Sequence, residues 1–587
     1  MKFTDRINNT ITQKILAFLK ANWQCVGMLV AIFVNIAYMH YVAAPREYVG
    51  KWIIPIEMML FDTFVLVAIV GLISLLRLKI AYIVSFSISL LWSFINVVYF
   101  RCFEQYMPVS AFMETSNLAG TWWIEYVVGS VRTTDIVYLV GIIFFVFCLK
   151  QTTRKTMNWK VYLALPVLII ACHFATYTIK NKSISGYFPN NYGAGFISGY
   201  DFDMERQVLY AGIFRSHVYC NICKLSKNSS YSDKEKEEMR QLMSGLVEKN
   251  KTRNVYENSI VGKNVVIIIV ESYLSASSDL KIGEYEITPN LNALKHTDGV
   301  YFNGNMRQNI AKGESSDGQF IAMTGLLPLK NDLTVVKILK NKIPAFPAIM
   351  RDSCGYSTHI TVPTRPTFWH QQDVNKVYGI DSLYSVVTGN NFTTDEEIMR
   401  FSYEKEKQMQ EPYLHIILTA SMHGGYDVLR KGVPNFGISF PDNYSQQYKN
   451  YLNTCHYTDS VLGEYFQKKK DDDTFENTVF VIMADHEAHK QYLNIDDSIA
   501  NDYKLPLYIV NAAVTPDTNC VTSDINQTDI FPTLLDLIGS DSEWRGLGHS
   551  VFDKEHYVLE ISPETEALSE YIIREDAFRK LAITKEP

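Results

Sequence analysis

Five long apolar runs crowd into the first third of the chain, approximately Trp23 to Ala43, Ile54 to Leu76, Ile80 to Phe100, Ile136 to Leu149 with its flanks, and Val161 to Ile179. A hydrocarbon core of about 30 Å takes roughly 20 helical residues to cross, and within it each backbone polar group has to be satisfied internally. Runs of this length therefore predict transmembrane helices. A cleaved signal peptide has a single short apolar stretch and a small-residue cleavage site. Here the first run is long and others follow it, so the N-terminus is expected to serve as an anchor.

Orientation follows from the basic residues of the short loops. Lys2, Arg6, Lys14 and Lys20 precede the first run, Arg77 and Lys79 separate the second from the third, and Lys150, Arg154, Lys155 and Lys160 separate the fourth from the fifth. The alternate loops carry fewer, namely Arg46 with Lys51 and Arg101 with Arg132. With an odd number of spans, everything after Lys180 is expected outside the membrane. Glu57 is read as interfacial and Asp62 as paired inside the bundle, because an ionised carboxylate is costly in lipid. The Trp122-Trp123 pair fits an interfacial belt.

The remaining two thirds are polar enough to fold in water, and 587 residues exceed one ordinary domain. Three segments are expected: 1–180 in the membrane, 181–262 as linker and tether helix, and 263–587 as the catalytic domain. A net charge of -7 with scattered Lys and Arg excludes a nucleic-acid partner. Of the nine cysteines only Cys220 and Cys223 lie close together, which makes neither a disulfide framework nor a four-ligand zinc pattern. Ser232 to Lys249 reads as a charged helix with Ser232 as N-cap, and it shows no stripe wide enough for a coiled coil, so a solvated strut is expected. From Asn264 onward β-branched runs alternate with helical patterns. Val265 to Val270, His415 to Thr419, Thr478 to Met483 and Leu507 to Val510 are strand candidates, while Gln446 to Lys468 and Asp529 to Ile538 read as helices. The class is α/β with a mostly parallel sheet.

In such sheets ligands collect at the carboxyl ends of strands. Glu271 follows the first run, in NVVIIIVES, and Asp485-His486 follows a later one, in TVFVIMADHEAH. Two carboxylates and an imidazole suit Zn²⁺ or Mn²⁺ and leave a coordination position open. Any one of these acidic residues could simply cap a helix; the conjunction is what points to a metal. Ser315, in NIAKGESSDGQF, lies in a Gly-flanked turn before the apolar stretch Phe320 to Leu327, where a helix N-terminus would expose it. A serine hydroxyl becomes a competent nucleophile when a metal lowers its pKa, and first-turn amides can hold phosphoryl oxygens.

These residues together resemble the alkaline phosphatase and sulfatase superfamily, and within it the lipoteichoic acid synthase branch of phosphoglycerol and phosphoethanolamine transferases. The likeness rests on an order: Glu271-Ser272 closing a strand, Gly313 to Asp317 as the turn, Phe368-Trp369, a strand followed by His423, then Asp485-His486, with DIFPTLLDLIG and RGLGHSVF near the end. It covers essentially the whole chain.

The resemblance implies a five-helix transmembrane domain followed by an α/β alkaline-phosphatase-like domain on the outer side of a bacterial cytoplasmic membrane. It implies Ser315 as nucleophile, Glu271, Ser315, Asp485 and His486 as ligands of one divalent ion, Mn²⁺ or Zn²⁺ ahead of Mg²⁺, and Trp369 and His423 as head-group contacts. Phospholipid would be the donor, and a glycan or lipid with a free hydroxyl the acceptor. The chain departs from the family pattern at Gln371 and Val362, where that family often has Arg and His. His359, Arg365, His370 and Arg307 are candidates to replace those contacts, and His489 is a candidate proton donor or second-metal ligand. A sulfatase would need a Cys or Ser in C/S-x-P-x-R, which GESSDG lacks. A phosphodiesterase or phosphatase, or a lipid-binding regulator of the same architecture, remains an alternative reading.

Overall fold

The structure is a computed structural model that describes chiefly residues 20–43, 56–73, 77–103, 127–153, 233–249, 256–330, 332–387, 393–495, 503–514, 521–553 and 561–580. The chain divides into two compact units near residue 229.

The first unit holds the apolar helices α1 (Trp23–Ala43), α2 (Ile56–Ile73), α3 (Leu78–Phe103) and α4 (Ile136–Gln151). Among the described residues three helices are long and apolar enough to cross a membrane, Trp23–Ala43, Leu78–Arg101 and Thr133–Gln151, whereas Met59–Ile73 is shorter. The fifth predicted run, the Trp122-Trp123 pair, the Glu57 side chain, Cys220 and Cys223 lie outside the described residues. Small residues let these helices meet closely: a Cβ on Gly27 would lie 2.5 Å from the Cys148 sulfur. Polar side chains then bond across the contact, with Asn35 Nδ2 donating to Ser89 Oγ at 3.1 Å and Ser93 Oγ 2.7 Å from the Tyr138 hydroxyl. Asp62 is buried, as the sequence predicts. Arg101 and Asp135 form a buried ion pair at 2.7 Å, so Arg101, read as a loop charge, is tied to the helix ends instead.

The second unit is an α/β domain around one eight-stranded sheet. Its strands are β1 (Asn264–Val270), β2 (Tyr301–Arg307), β3 (Ser357–Val362), β4 (Ser382–Ser385), β5 (Tyr413–Leu418), β6 (Thr478–Ala484), β7 (Leu505–Val510) and β8 (Ile525–Asn526). They lie in the order β8-β2-β7-β6-β1-β5-β3-β4. β1 is buried along all of NVVIIIV, as both faces of a covered parallel sheet require. It pairs in parallel with β6 on one side and β5 on the other, so three carboxyl ends open on the same edge. β7 runs antiparallel to both β2 and β6. The sheet is therefore mostly parallel.

Helices cover the sheet, among them α6 (Ser315–Thr324), α7 (Gln371–Tyr378), α8 (Asp395–Glu406), α9 (Gln446–Asp471), α10 (Ile530–Ile538) and α11 (Pro563–Glu575). Local signals set their ends. Thr394 and Glu397 form a capping box at the start of α8, and Ser445 accepts from the Tyr448 amide at the start of α9.

The helix read as a solvated strut, here α5 (Asp233–Lys249), is docked. Met243 is fully buried, and Met239 and Leu246 pack beside it against the core of the second unit. These residues sit at i, i+4 and i+7, a narrow stripe that suffices for one-sided packing though not for a coiled coil. Tyr231, just before it, meets Tyr571 of α11 edge-on at 4.9 Å. Ser232, its expected N-cap, lies outside the described residues.

Candidate active site

At the carboxyl edge of β1 and β6 the chain assembles a compact group. Glu271 leaves β1 with its amide held by Thr419 Oγ1 at 3.1 Å, a contact supplied by the end of β5. Asp485 and His486 leave β6. Asp485 Oδ1 accepts from the amides of Ser272 and His486, each at 2.8 Å, and Gln527 Nε2 donates to the Asp485 carbonyl at 2.6 Å. His486 Nδ1 donates to the Glu487 carbonyl at 2.8 Å, which turns Nε2 toward the carboxylates.

Ser315 is the first residue of α6. Glu314, its N-cap, has φ 46°, a left-handed backbone that a non-glycine residue adopts only when its surroundings hold it there. The turn is pinned from within: Asp317 Oδ2 accepts from the amides of Ala311 at 3.0 Å and Gly313 at 2.8 Å. Burial pushes the Asp317 carboxyl up to about 7. The amides of Asp317 and Gly318 bond to the Glu314 carbonyl at 2.9 and 3.0 Å, and that of Ser316 to Gly313 at 2.9 Å. The expected cradle of first-turn amides for phosphoryl oxygens is thus largely occupied within the turn itself. α6 reaches the Asp485 turn because residue 318 is glycine; a Cβ there would lie 2.3 Å from the Asp485 carbonyl oxygen.

The result is a serine hydroxyl among ligand-type atoms. Ser315 Oγ is 3.2 Å from Glu271 Oε2 and 3.2 Å from His486 Nε2. His486 Nε2 is 3.3 Å from Glu271 Oε1 and 3.5 Å from Asp485 Oδ2. Donors about 2.1 Å from a tetrahedral ion stand about 3.4 Å apart, and the separations here match that edge length. Electrostatics agree with a centre built for positive charge. Burial would raise Glu271, but His423, His486 and the Ser272 hydroxyl outweigh it and hold its carboxyl well below the usual range. Burial and the Glu271 carboxylate push Asp485 up. Burial opposes charge on His486, yet Asp485, Glu271 and Glu314 raise it well above an ordinary imidazole. In chemistry, number and spacing the donors fit a single divalent ion.

The other predicted residues divide. His423, past the end of β5, is close enough to act electrostatically on Glu271, and burial lowers its own pKa. His489 stands with its ring 5.7 Å from that of His486 and its Nε2 3.5 Å from Glu314 Oε2. Burial, then His486 and His423, push it down to about 3. Trp369 and His370 follow β3 in a tight turn, both with left-handed backbones of φ 49° and 50°. Trp369 rests half-buried on the core. Arg365 is exposed in the same segment. Arg307 is exposed at the end of β2 and paired with Asp524.

His359 is not at the site. It lies level with His415, which lies level with Val266, five residues short of Glu271 and so roughly 16 Å down the strand. There it bonds to Ser357 Oγ at 3.0 Å and to the Tyr384 hydroxyl at 3.3 Å. Gln371 is buried too, donating to Gln319 Oε1 at 3.2 Å and Asn375 Oδ1 at 2.8 Å. Sequence reasoning missed Glu314, Thr419 and Gln527. Glu314 stood inside the motif beside Ser315, while nothing around Thr419 or Gln527 marked them.

A mostly parallel α/β domain here sets a half-buried serine hydroxyl among two carboxylates and an imidazole at the strand ends. Residues 263–540 match the Sulfatase family model, and residues 7–232 match the Lipoteichoic acid synthase N-terminal domain model. The chain is similar to lipoteichoic acid synthase 2 of Bacillus subtilis, 24% identical over 493 residues, which cover 78% of this chain and 72% of that one. It is also similar to the lipoteichoic acid synthase of Staphylococcus saprophyticus, 23% identical over 493 residues, covering 78% and 73%. Among solved structures, the integral membrane lipooligosaccharide phosphoethanolamine transferase A of Neisseria meningitidis shares the fold, with a TM-score of 0.50 and 12% identity over 91% of this chain and 97% of that one. The chain thus carries a Sulfatase-family domain preceded by a lipoteichoic acid synthase N-terminal domain, and its relatives include lipoteichoic acid synthases.

Proposed function

We propose that this chain transfers a phospholipid head group, phosphoglycerol or phosphoethanolamine, to an acceptor hydroxyl on a glycan or lipid, through a covalent intermediate on Ser315. The observation that carries this is the placement of Ser315 Oγ 3.2 Å from both Glu271 and His486. Glu271, Asp485, His486 and Ser315 hold the divalent ion in this reading. Mn²⁺ or Zn²⁺ bound there would lower the pKa of the serine hydroxyl and offset charge on the phosphoryl oxygens.

In the first half-reaction Ser315 Oγ forms a bond to phosphorus while the bond from phosphorus to the glyceride oxygen breaks; a neutral imidazole, His423 or His489, takes the serine proton and passes it to the diacylglycerol that leaves. In the second the acceptor hydroxyl, its proton taken by the same imidazole, displaces the serine. Trp369, His370 and His423 are the candidates to grip the head group. The two left-handed residues in succession support this, since strain of about 1–3 kcal/mol each is retained chiefly where function holds it. Apolar helices keep the catalytic unit, residues 263–587, beside a lipid donor, on the outer face of the cytoplasmic membrane. The test is Ser315→Ala in detergent-solubilised full chain with phosphatidylglycerol and phosphatidylethanolamine. Head-group release should vanish and no phosphorylated adduct should appear on intact-mass measurement; undiminished turnover refutes the assignment. Release into water without acceptor dependence favours a phosphodiesterase.

A further inference from the structure

The turn that carries His423 is held from outside the centre just described. It begins at Thr419, whose amide donates to the Ile269 carbonyl at 3.1 Å and whose Oγ1 accepts from the Glu271 amide. It closes where the His423 amide donates to the Ala420 carbonyl at 3.1 Å. Between those points the turn rests on Asp395, the fully buried first residue of α8. Asp395 Oδ1 accepts from the amides of Ala420 and Ser421, each at 2.8 Å, and the Asp395 amide donates to Ser421 Oγ at 2.9 Å. Thr458 of α9 donates to Asp395 Oδ2 at 2.7 Å, so a second helix fixes the carboxylate itself. Arg430 Nη1 donates to the same Ala420 carbonyl that the His423 amide uses.

A carboxylate in the first turn of a helix is ordinarily explained by that helix's own amides and dipole. Here Thr394 caps α8 and Glu397 reciprocates, so the helix start is complete without the Asp395 oxygens. Both of those oxygens reach other elements instead. The arrangement repeats the one before Ser315, where Asp317 accepts from two amides of the turn. We propose that Asp395 is a positioning residue for His423, setting that imidazole at the reaction centre through the amides of Ala420 and Ser421, with Arg430 as the clamp on the carbonyl side. Removing the shared acceptor frees the turn to shift. A misplacement of about 1 Å at a reacting group costs on the order of 10²-fold in rate.

The inference rests on the reading of His423 as a group that acts in the transfer, and a double-mutant cycle separates the two. Head-group release by detergent-solubilised full chain is measured for Asp395→Ala, Arg430→Met, His423→Ala and each of the first two combined with the third, with thermal unfolding in parallel. Asp395→Ala and Arg430→Met should each lower kcat/KM by at least about tenfold. Neither should lower it further in a chain that already carries His423→Ala, because groups that act through one residue are not additive with it. Asp395→Asn keeps an oxygen that can accept from both amides and should recover most of the loss. Arg430 is only half-buried, so Arg430→Met carries the test if Asp395→Ala does not fold. Full activity in either single variant, losses that multiply with that of His423→Ala, or an asparagine no better than alanine overturns the inference. Full activity in His423→Ala overturns it together with the role given to His423, while Ser315→Ala tests the proposed function apart from both.

Discussion

Gly318→Ala isolates the effect of geometry from that of chemistry, because it removes no functional group. Gly318 lies on α6, one turn from Ser315, against the backbone of Asp485. The added Cβ would stand 2.3 Å from the Asp485 carbonyl oxygen and 2.9 Å from its carbon. Ordinary contact begins near 3.4 Å, so α6 or the Asp485 turn has to give way by about 1 Å. Both carry ligand atoms, and a misplacement of about 1 Å at a reacting group costs on the order of 10²-fold in rate. Overpacking adds about 1–3 kcal/mol of destabilisation, which exceeds the roughly 0.5–1 kcal/mol that glycine to alanine gives back in a helix. Gly245 in α5 is the control, since nothing lies within 4 Å of its Cβ position. Gly245→Ala should leave activity unchanged and stability equal or higher. The assay is head-group release under saturating lipid, with thermal unfolding in parallel. Full kcat in Gly318→Ala would refute the claim that contact between α6 and the Asp485 turn sets the position of the nucleophile.

Other expectations follow from the same coordinates. His359→Ala should leave kcat and KM unchanged while His423→Ala lowers kcat/KM by at least about tenfold, roughly 1.4 kcal/mol; equal losses would contradict the strand register. Met243→Asp puts a charge where α5 meets the core and should release that helix, seen as new protease cleavage near residue 240 with the catalytic unit still folded. Glu406 is buried among His415 at 2.8 Å, the Tyr465 hydroxyl at 2.8 Å and Lys469 at 3.1 Å. Lys469→Met, which takes the lysine charge from that carboxylate and leaves it only His415 and the Tyr465 hydroxyl, should cost up to about 3–5 kcal/mol in urea unfolding. Burial raises the Glu406 pKa but His415 and Lys469 outweigh it, so the folded value lies below 4.5. Its contribution is complete above pH 4.5 and fades as pH falls through the depressed folded value; Glu406→Gln should flatten the acid limb of stability against pH.

Strand ends were legible because their code is local. Val265 to Val270 and Thr478 to Met483 are β-branched runs too short for helices, and an acidic residue directly after each is visible without a fold. The observed β1 and β6 bracket both to within a residue or so. β2 and β4 went unread because YFNGNMR and SLYS carry no continuous apolar run, and such part-exposed strands are specified by their neighbours; β3 went unread because polar residues interrupt STHITV although the strand is buried. α5 was misread for a related reason. Charges dominate DKEKEEMRQLMSGLVEK, and three apolar residues on one face signify docking only once a partner such as α11 exists to receive them.

Gln371 shows where reading by motif position fails. By order it stands where the resembled family often has Arg, and the sequence marks it only as a departure from that pattern. A side chain with both a donor and an acceptor can equally bridge two buried amides, and here it ties α7 to Gln319 of α6, four residues after the nucleophile. The Trp369-His370 turn is therefore braced on the helix that carries Ser315. A buried amide left without its partner costs about 1–3 kcal/mol, enough to displace that turn. Under the proposed function, a change at residue 371 would then act on the head group only through the position of Trp369.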